Sequence, residues 1–342
     1  MSITPTKRPT IRDVAGAANV SKSLVSLVLS NSPKVSDEKR ARVWRAVEEL
    51  GFEMNIAARS LASHSTPTIG VLVSDLHNPW AFDVADAARA IIEDSEYGVL
   101  FGAMSSPRSK TEIDMSLLQT YRDLRVTGLL VVGSIPHIPE LGRLVGGCPL
   151  AFAGSGDEYA GSADVINSDD DAGVAMVVQH LASQGHRRIM HLGGLGGSVA
   201  RRRADAYLKA MAEHGLAQYA QIFEADYTIE SGERAARAAL AGKPKENPTA
   251  MVCVNDLAAL GAMSVADELG AHVAITGYDN ITVAHIPRLS LTSVDPDVRE
   301  LGEQAAEALI SRIGDSSREF LDVRIAPELM VRNSSRNVRV KK

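Results

Sequence analysis

The stretch TIRDVAGAANVSKSLVSLVL, residues 10–29, decides the fold of the N-terminal part of the chain. Its first half carries apolar residues at the spacing of one helix face, at Ile11, Val14, Ala15 and Ala18. Thr10 is the predicted N-cap of this helix, and Asn19 and Val20 interrupt its pattern. Ser21 is the predicted cap of a second helix over 22–30. The sequence therefore predicts two short helices joined by a tight turn.

The second predicted helix has two chemically different faces when its residues are placed at about 100° intervals. One face is apolar and is formed by Leu24, Val25, Val28 and Leu29. The other face is polar and is formed by Lys22, Ser23, Ser26 and Ser30, with Leu27 at its edge. A third helix is predicted from the cap Ser36 to the stop signal Gly51. Three helices with a tight turn after the first predict an all-α helix-turn-helix head.

A helix-turn-helix predicts DNA binding, because its second helix fits the major groove and directs its N-terminal residues at base edges. Lys22 can donate to guanine O6 or N7, and Ser23 and Ser26 can bond a base or a phosphate. Leu27 can contact a thymine methyl group. Thr10, Ser21 and Lys34 complete the predicted DNA contacts of this head. The alternative from the pattern alone is a three-helix domain that packs on protein.

The charge of the chain is distributed unevenly. Residues 1–62 contain 10 Lys and Arg and 6 Asp and Glu, whereas the remaining 280 residues contain 26 and 36. A basic head suits a polyanionic partner such as nucleic acid, and an acidic body does not.

Composition excludes several classes of protein. The chain has 342 residues, of which 45% are hydrophobic and 23% charged, as in ordinary globular proteins. No run reaches the ~18 apolar residues of a membrane span, and residues 1–10 lack a secretory signal, so we expect a cytoplasmic protein. The two cysteines, Cys148 and Cys253, lie in apolar runs and are predicted to be buried thiols. No metal site, cofactor or catalytic nucleophile is predicted, and we expect no enzyme activity.

The body of the chain alternates between strand-like and helix-like segments. Predicted strands lie at 69–73, 99–101, 128–132, 149–152, 188–192, 250–254 and 273–276, and predicted helices at 81–92, 112–124 and 169–183. This alternation predicts an α/β body with parallel sheets covered by helices. About 275 residues exceed one such core, so we expect two lobes. A ligand then binds between the lobes, beyond the carboxyl ends of the strands.

These segments together resemble the LacI/GalR family of transcriptional regulators. In the head the resemblance lies in Thr10-Ile-Arg-Asp-Val-Ala, Val20-Ser, Val25-Ser, Val35-Ser36, Arg40 and Leu50-Gly51-Phe52. The family often has Arg at the position of Leu27, so its operator sequences do not carry over. The segment 55–62, Asn-Ile-Ala-Ala-Arg-Ser-Leu-Ala, resembles the hinge helix of the family.

The resemblance implies that two such hinge helices, one per subunit, fold together in the minor groove. Asn55 is the predicted cap, Arg59 lies near phosphates and Leu61 is the wedge that opens a base step, with Ala62 beside it. A helix this short is marginal in water, so it needs DNA to form. The alternative is a plain linker.

In the body, the resemblance to a two-lobed periplasmic-binding-protein-like core spans motifs from Asp75-Leu76-His77-Asn78-Pro79-Trp80 to Pro327-Glu328-Leu329. It implies an effector site formed by Asn78, Trp80, Arg203, Tyr227, Asn255 and Asp279. Arginine, carboxylate and amide groups can bond paired hydroxyls, and aromatic faces suit a pyranose ring. We expect a sugar or sugar derivative as effector, and a purine or another metabolite is the alternative.

The sequence thus predicts three parts: a DNA-binding domain over 1–53, a hinge helix and linker over 54–67, and an effector-binding and dimerisation domain over 68–342. We expect a repressor that binds double-stranded operator DNA as a homodimer and is controlled by a small molecule. A solute-binding protein without DNA function and a transcriptional activator are the alternatives.

Replacement of Leu61 by Ala tests the predicted wedge. We expect weaker binding to a specific operator and nearly unchanged salt-dependent binding to random duplex, because the wedge acts only on the deformed site. Gel-shift titrations on both kinds of DNA measure this difference. Equal loss on both would contradict a wedge role for Leu61.

Overall fold

The computed structural model describes residues 9–29, 32, 34–52, 66–106, 109–113, 115–138, 140–243 and 246–336. The chain separates into two compact units, Met1–Pro67 and Thr68–Lys342. The predicted hinge residues Asn55, Arg59, Leu61 and Ala62 lie outside the described residues, so the hinge helix stays a prediction.

The first unit contains the three predicted helices: α1 (Ile11–Ala17), α2 (Lys22–Leu29) and α3 (Asp37–Leu50). Thr10 and Ser36 are the N-caps of α1 and α3, and Gly51 ends α3 with a φ of 58°. The core is formed where the apolar faces meet, and Val14, Val25, Val28 and Val43 are fully buried in it.

The turn between α1 and α2 is fixed by Asn19 and Arg42. Asn19 adopts a φ of 48°, in the left-handed region that asparagine tolerates better than most residues. The Arg42 guanidinium, from α3, donates through Nη2 to the carbonyls of Ala18 at 2.9 Å and Asn19 at 3.0 Å. These bonds satisfy carbonyls at the end of α1 that have no partner within the helix.

The second unit contains two six-stranded sheets, each the centre of one lobe. The first-lobe sheet has the order β13-β7-β6-β5-β1-β2, with strands β1 (Thr68–Val73), β2 (Gly98–Ala103), β5 (Gly128–Val132), β6 (Leu150–Ala153), β7 (Asp164–Ser168) and β13 (Asp322–Ile325). All neighbouring strands in it are parallel.

The second-lobe sheet has the order β14-β12-β11-β10-β8-β9. Its strands are β8 (Ile189–Gly194), β9 (Ile222–Ala225), β10 (Ala250–Cys253), β11 (Ala274–Tyr278), β12 (Thr292–Asp295) and β14 (Glu328–Met330). Only β14 is antiparallel to its neighbour among the strands of this sheet. The predicted two-lobed α/β fold with a helical head is confirmed.

Helices cover both sheets. Those of the first lobe are α4 (Pro79–Asp94), α5 (Met115–Asp123), α6 (Leu141–Leu144) and α11 (Val298–Gly314), and those of the second are α7 (Asp170–Ser183), α8 (Ser198–Glu213), α9 (Ile229–Leu240) and α10 (Asp256–Leu269). In the described parts of the chain, no helix combines the length and apolar character that a membrane span requires.

One predicted helix begins later than expected. The sequence predicts a helix over 112–124, but α5 begins at Met115, and the residues before it form a hairpin of β3 (Ser105–Ser106) and β4 (Ser109–Ile113). The β-branched Thr111 and Ile113 favour the strand conformation of this segment.

The chain passes between the lobes three times: after β7, after β12 and after β13. The second passage leads into α11, which packs along α4 in the core of the first lobe. Gly302 marks the closest approach of the two helices, because a Cβ there would lie 2.3 Å from the Val84 carbonyl oxygen.

Replacement of Gly302 by Ala is expected to destabilise the protein by about 1–3 kcal/mol, since overpacking outweighs the roughly 1 kcal/mol that alanine gains in a helix. Gly314→Ala, at the end of the same helix, is the matched control, because a Cβ there meets nothing within 4 Å. Urea unfolding followed by circular dichroism measures both. Equal midpoints for the two variants would contradict close packing at Gly302.

Candidate functional site

A cavity of about 460 Å³ lies where the carboxyl ends of the strands of both lobes meet. Ser74, Gly133, Gly154 and Asn167 line it from the first lobe, and Gly196, Tyr227 and Asp279 line it from the second. Its position follows from the parallel topology, because loops after parallel strands collect at one edge of each sheet. Five residues predicted from the sequence line this cavity: Asn78, Trp80, Arg203, Tyr227 and Asp279.

Trp80 and Tyr227 give the cavity its aromatic surfaces. Asn78 is the N-cap of α4, and its Oδ1 accepts a hydrogen bond from the Trp80 amide at 3.1 Å. The Trp80 ring packs so closely on Gly154 that a Cβ there would lie 2.2 Å from it. The indole Nε1 of Trp80 and the phenol oxygen of Tyr227 are buried and bond to none of the described residues. Buried polar groups ordinarily have hydrogen-bond partners, so both groups are candidates to bond water or a ligand.

Arg203 lies at the centre of the site and is almost fully buried. Its Nε donates to Asp170 Oδ1 at 2.8 Å, and its Nη1 donates to the Val254 carbonyl at 2.7 Å and lies 3.7 Å from Asp279 Oδ1. Its guanidinium also stacks on the Tyr278 ring, 3.5 Å from the centroid. These contacts fix the plane of the guanidinium and balance its charge with two carboxylates.

Asp279 is a buried carboxyl with an altered protonation equilibrium. Burial raises the pKa of Asp279 to about 7, although the nearby Arg203 lowers it. Near neutral pH this group therefore exists in both forms and can accept or donate a hydrogen bond to a hydroxyl. Burial also raises the pKa of Tyr227, which keeps its phenol protonated.

Asn255 is the one predicted effector residue that does not line the cavity. Its side chain is fully buried and caps α10, with Oδ1 accepting from the Ala258 amide at 2.9 Å. Its Nδ2 donates to the Tyr227 carbonyl at 3.3 Å, so it supports the loop that carries Tyr227.

Asp170 and Asn167 belong to the site but were not predicted. Asp170 follows the helix cap Asp169, and a second acidic residue in a first helical turn is ordinarily a surface group. In the structure Asp170 is 4% exposed and bonds two arginines. Asn167 is 1% exposed, and its Oδ1 has no hydrogen bond within the described chain. No local sequence signal distinguishes these two residues.

The predicted DNA-contacting residues of the head lie at its surface. Lys22, Ser23 and Lys34 are exposed, Ser26 is half-buried, and Leu27 is 39% exposed. Two predicted contacts also act as caps: Thr10 Oγ1 donates to Asp13 at 2.7 Å, and Ser21 Oγ accepts from the Leu24 amide at 3.2 Å. The outer face of α2 is therefore a small polar surface with one apolar side chain.

The cysteines differ from each other. Cys253 is buried as predicted, but Cys148 is only half-buried, because it lies in the loop before β6. Both are free thiols, and burial raises the pKa of Cys148 to about 11. Within the described ranges, no group of three or more His, Cys, Asp or Glu side chains could hold a metal ion.

Comparison with known proteins identifies both units. Residues 10–55 match the lacI family of bacterial regulatory proteins, and residues 178–335 match the periplasmic binding protein-like domain. The chain is 31% identical to the HTH-type transcriptional repressor PurR of Erwinia tasmaniensis, over 95% of this chain and 96% of the relative. The chain belongs to the LacI family.

Solved structures of LacI-family regulators agree with this assignment. The lac repressor dimer bound to operator and the anti-inducer ONPF is 25% identical, with a TM-score of 0.73 over 96% of this chain and 99% of that chain. A complex of the transcriptional regulator CelR with cellobiose is 26% identical, with a TM-score of 0.68 over 96% of this chain and 100% of that chain.

Membership makes this chain a DNA-binding transcriptional regulator, so the alternative of a solute-binding protein without DNA function is set aside.

The pH dependence of stability tests the buried state of Asp279. A carboxyl whose pKa rises on folding stabilises the protein at low pH and loses that contribution as pH rises through the folded pKa. Relative to Asp279→Asn, the wild-type free energy of unfolding should therefore fall by roughly 2–4 kcal/mol between about pH 4 and pH 8. Urea unfolding across this range measures the difference, with exposed Asp205→Asn as the control. Parallel profiles for wild type and Asp279→Asn would show that Asp279 keeps an ordinary pKa.

Proposed function

We propose that this LacI-family regulator is a repressor that binds a pseudo-palindromic operator as a homodimer and is controlled by a neutral sugar in the cavity between its lobes. Two-fold symmetry of the protein requires two-fold symmetry of the operator. The outer face of α2, with the exposed Lys22, Ser23 and Leu27 and the half-buried Ser26, has the donors and the apolar contact that base recognition needs. The similarity to the lac repressor dimer on its operator supports this arrangement.

The observation that carries the sugar proposal is the charge balance of the cavity. Asp75, Asp170, Asp226 and Asp279 line it together with a single arginine, Arg203, and with His77, whose Nδ1 lies 3.1 Å from Asp75 Oδ1. Arg203 already pairs with the Asp170 carboxylate and lies 3.7 Å from the partly ionised Asp279, so an anionic ligand finds little uncompensated positive charge. Carboxylates accept hydrogen bonds from hydroxyls, and the Trp80 and Tyr227 rings offer apolar faces to a pyranose. The site therefore favours a neutral polyhydroxy ligand over phosphorylated or acidic sugars.

One solved structure and the PurR relatives bear on the ligand class. CelR, which has the same fold, was solved with cellobiose. The PurR relatives are the reason to keep a nucleobase as the second candidate, because Trp80 and Tyr227 can also stack on a planar base. Whether the regulator represses or activates depends on the position of its operator, and the repressor names of its relatives favour repression.

Calorimetric titration of the full chain with neutral sugars, sugar phosphates and nucleobases tests the proposal. We expect binding to a neutral sugar and none to its phosphate ester, because the ester adds charge to a site that already has excess carboxylate. Binding confined to nucleobases would overturn the sugar assignment.

Replacement of Tyr227 by Phe tests the geometry of the bound sugar. Loss of one neutral hydrogen bond should weaken sugar binding by about 3–10-fold. Tyr219→Phe is the matched control, because Tyr219 is 41% exposed and does not line the cavity. Unchanged affinity in the Tyr227 variant would place the sugar away from this phenol.

A further inference from the structure

Four charged side chains form a row that begins at the wall of the cavity and ends beyond it. Arg203 on α8 bonds Asp170 at the start of α7, and Asp170 Oδ2 accepts from Arg202 Nε at 3.1 Å. Arg202 also donates through Nη1 to Asp157 Oδ2. A single carboxylate, that of Asp170, therefore holds the arginine that lines the cavity and the neighbouring arginine outside it.

The pair of Arg202 and Asp157 connects the two lobes. Arg202 lies on α8, which packs on the second-lobe sheet. Asp157 begins the short 3-10 helix after β6, whose Tyr159 is buried in the core of the first lobe. A change in the separation of the lobes must therefore lengthen or break this contact.

Asp157 is held in place by its own lobe. Asn167 Nδ2, on β7, donates to Asp157 Oδ1 at 3.1 Å, and Arg324 on β13 donates to the same oxygen. The other oxygen, Oδ2, is left for Arg202. Two bonds within the first lobe therefore orient the Asp157 carboxylate even when the lobes are apart. This orientation reduces the entropy that is lost when Arg202 binds Asp157.

The burial of this contact makes it stronger than an ordinary surface ion pair. The side chains of Arg202 and Asp157 are 26% and 27% exposed, and Asp170 is 4% exposed. Partly buried charges are screened less by water and salt than exposed ones. Neighbouring Arg201 is exposed, so one helix carries three successive arginines with three different environments.

We propose that Arg202 and Asp157 form a latch that holds the lobes closed over the cavity, and that Asp170 is the positioning residue that couples this latch to Arg203. A ligand that binds Arg203 then affects the closure of the lobes through Asp170, because the Asp170 carboxylate bonds both Arg203 and Arg202. The regulatory part of this inference rests on the proposed function of the cavity, whereas the latch itself does not.

The two tryptophans of the chain provide a direct test of the latch. Trp80 lines the cavity and is 8% exposed, and the other tryptophan, Trp44, is 44% exposed in the head. In a Trp44→Phe background, acrylamide quenching of fluorescence therefore reports access to the cavity alone. Arg202→Gln should raise the quenching constant of Trp80 by about twofold or more, because the open population increases.

Matched variants separate the latch from general destabilisation. Arg201→Gln removes the neighbouring charge and should leave quenching unchanged, and Arg202→Lys should restore part of the protection. Asp157→Asn should act like Arg202→Gln, and the double variant should add little to either, as expected for one interaction. Urea unfolding of each variant shows whether it is folded.

Unchanged quenching in Arg202→Gln, or equal increases in Arg202→Gln and Arg201→Gln, would overturn the latch. The measurement needs no effector and no DNA. Failure of every sugar to bind would therefore refute the proposed effector and leave the latch result intact.

Discussion

The ion pair between Arg203 and Asp170 is the interaction on which the rest of the site depends. Both side chains are less than one-tenth exposed, and each has a second partner of opposite charge. Removal of one partner from such a pair typically costs about 3–5 kcal/mol, because the other charge stays buried without compensation. Asp170 lies where the chain first passes from one lobe to the other, so the electrostatics of the cavity and the geometry of this passage depend on the same residue.

The Arg203–Asp170 ion pair also helps to explain why the polar side chains of the cavity have fixed positions. Arg203 is fixed by a carboxylate, a carbonyl and an aromatic ring before any ligand arrives. Asp279 directly follows β11, and the supporting Asn255 lies two residues after the adjacent β10, so the register of these strands fixes their positions. Groups that are already oriented lose little entropy when they bind a ligand, and this favours selectivity for the arrangement of hydroxyls.

The parts of the structure that the sequence predicted well are those with local signals. Thr10, Ser36 and Gly51 mark helix ends because capping depends only on residues within a few positions. Buried parallel strands such as β5 are continuous apolar runs. By contrast, β13 alternates exposed and half-buried residues at a sheet edge and carries no such run. Asp170 and Arg203 are separated by 33 positions, and no local pattern predicts that a chain will fold them into contact.

The outer face of α2 in the head is polar except for one exposed apolar side chain. The head is small, and Val14, Val25, Val28 and Val43 account for its most completely buried side chains, so the outer face of α2 needs no apolar residue for packing. Leu27 is nevertheless apolar and exposed there, beside the exposed Lys22 and Ser23. An apolar side chain on a face that is otherwise polar gains stability only when a partner removes it from water. The predicted contact with a thymine methyl group in the major groove would provide such a partner, and this is the role in base recognition that we propose for Leu27.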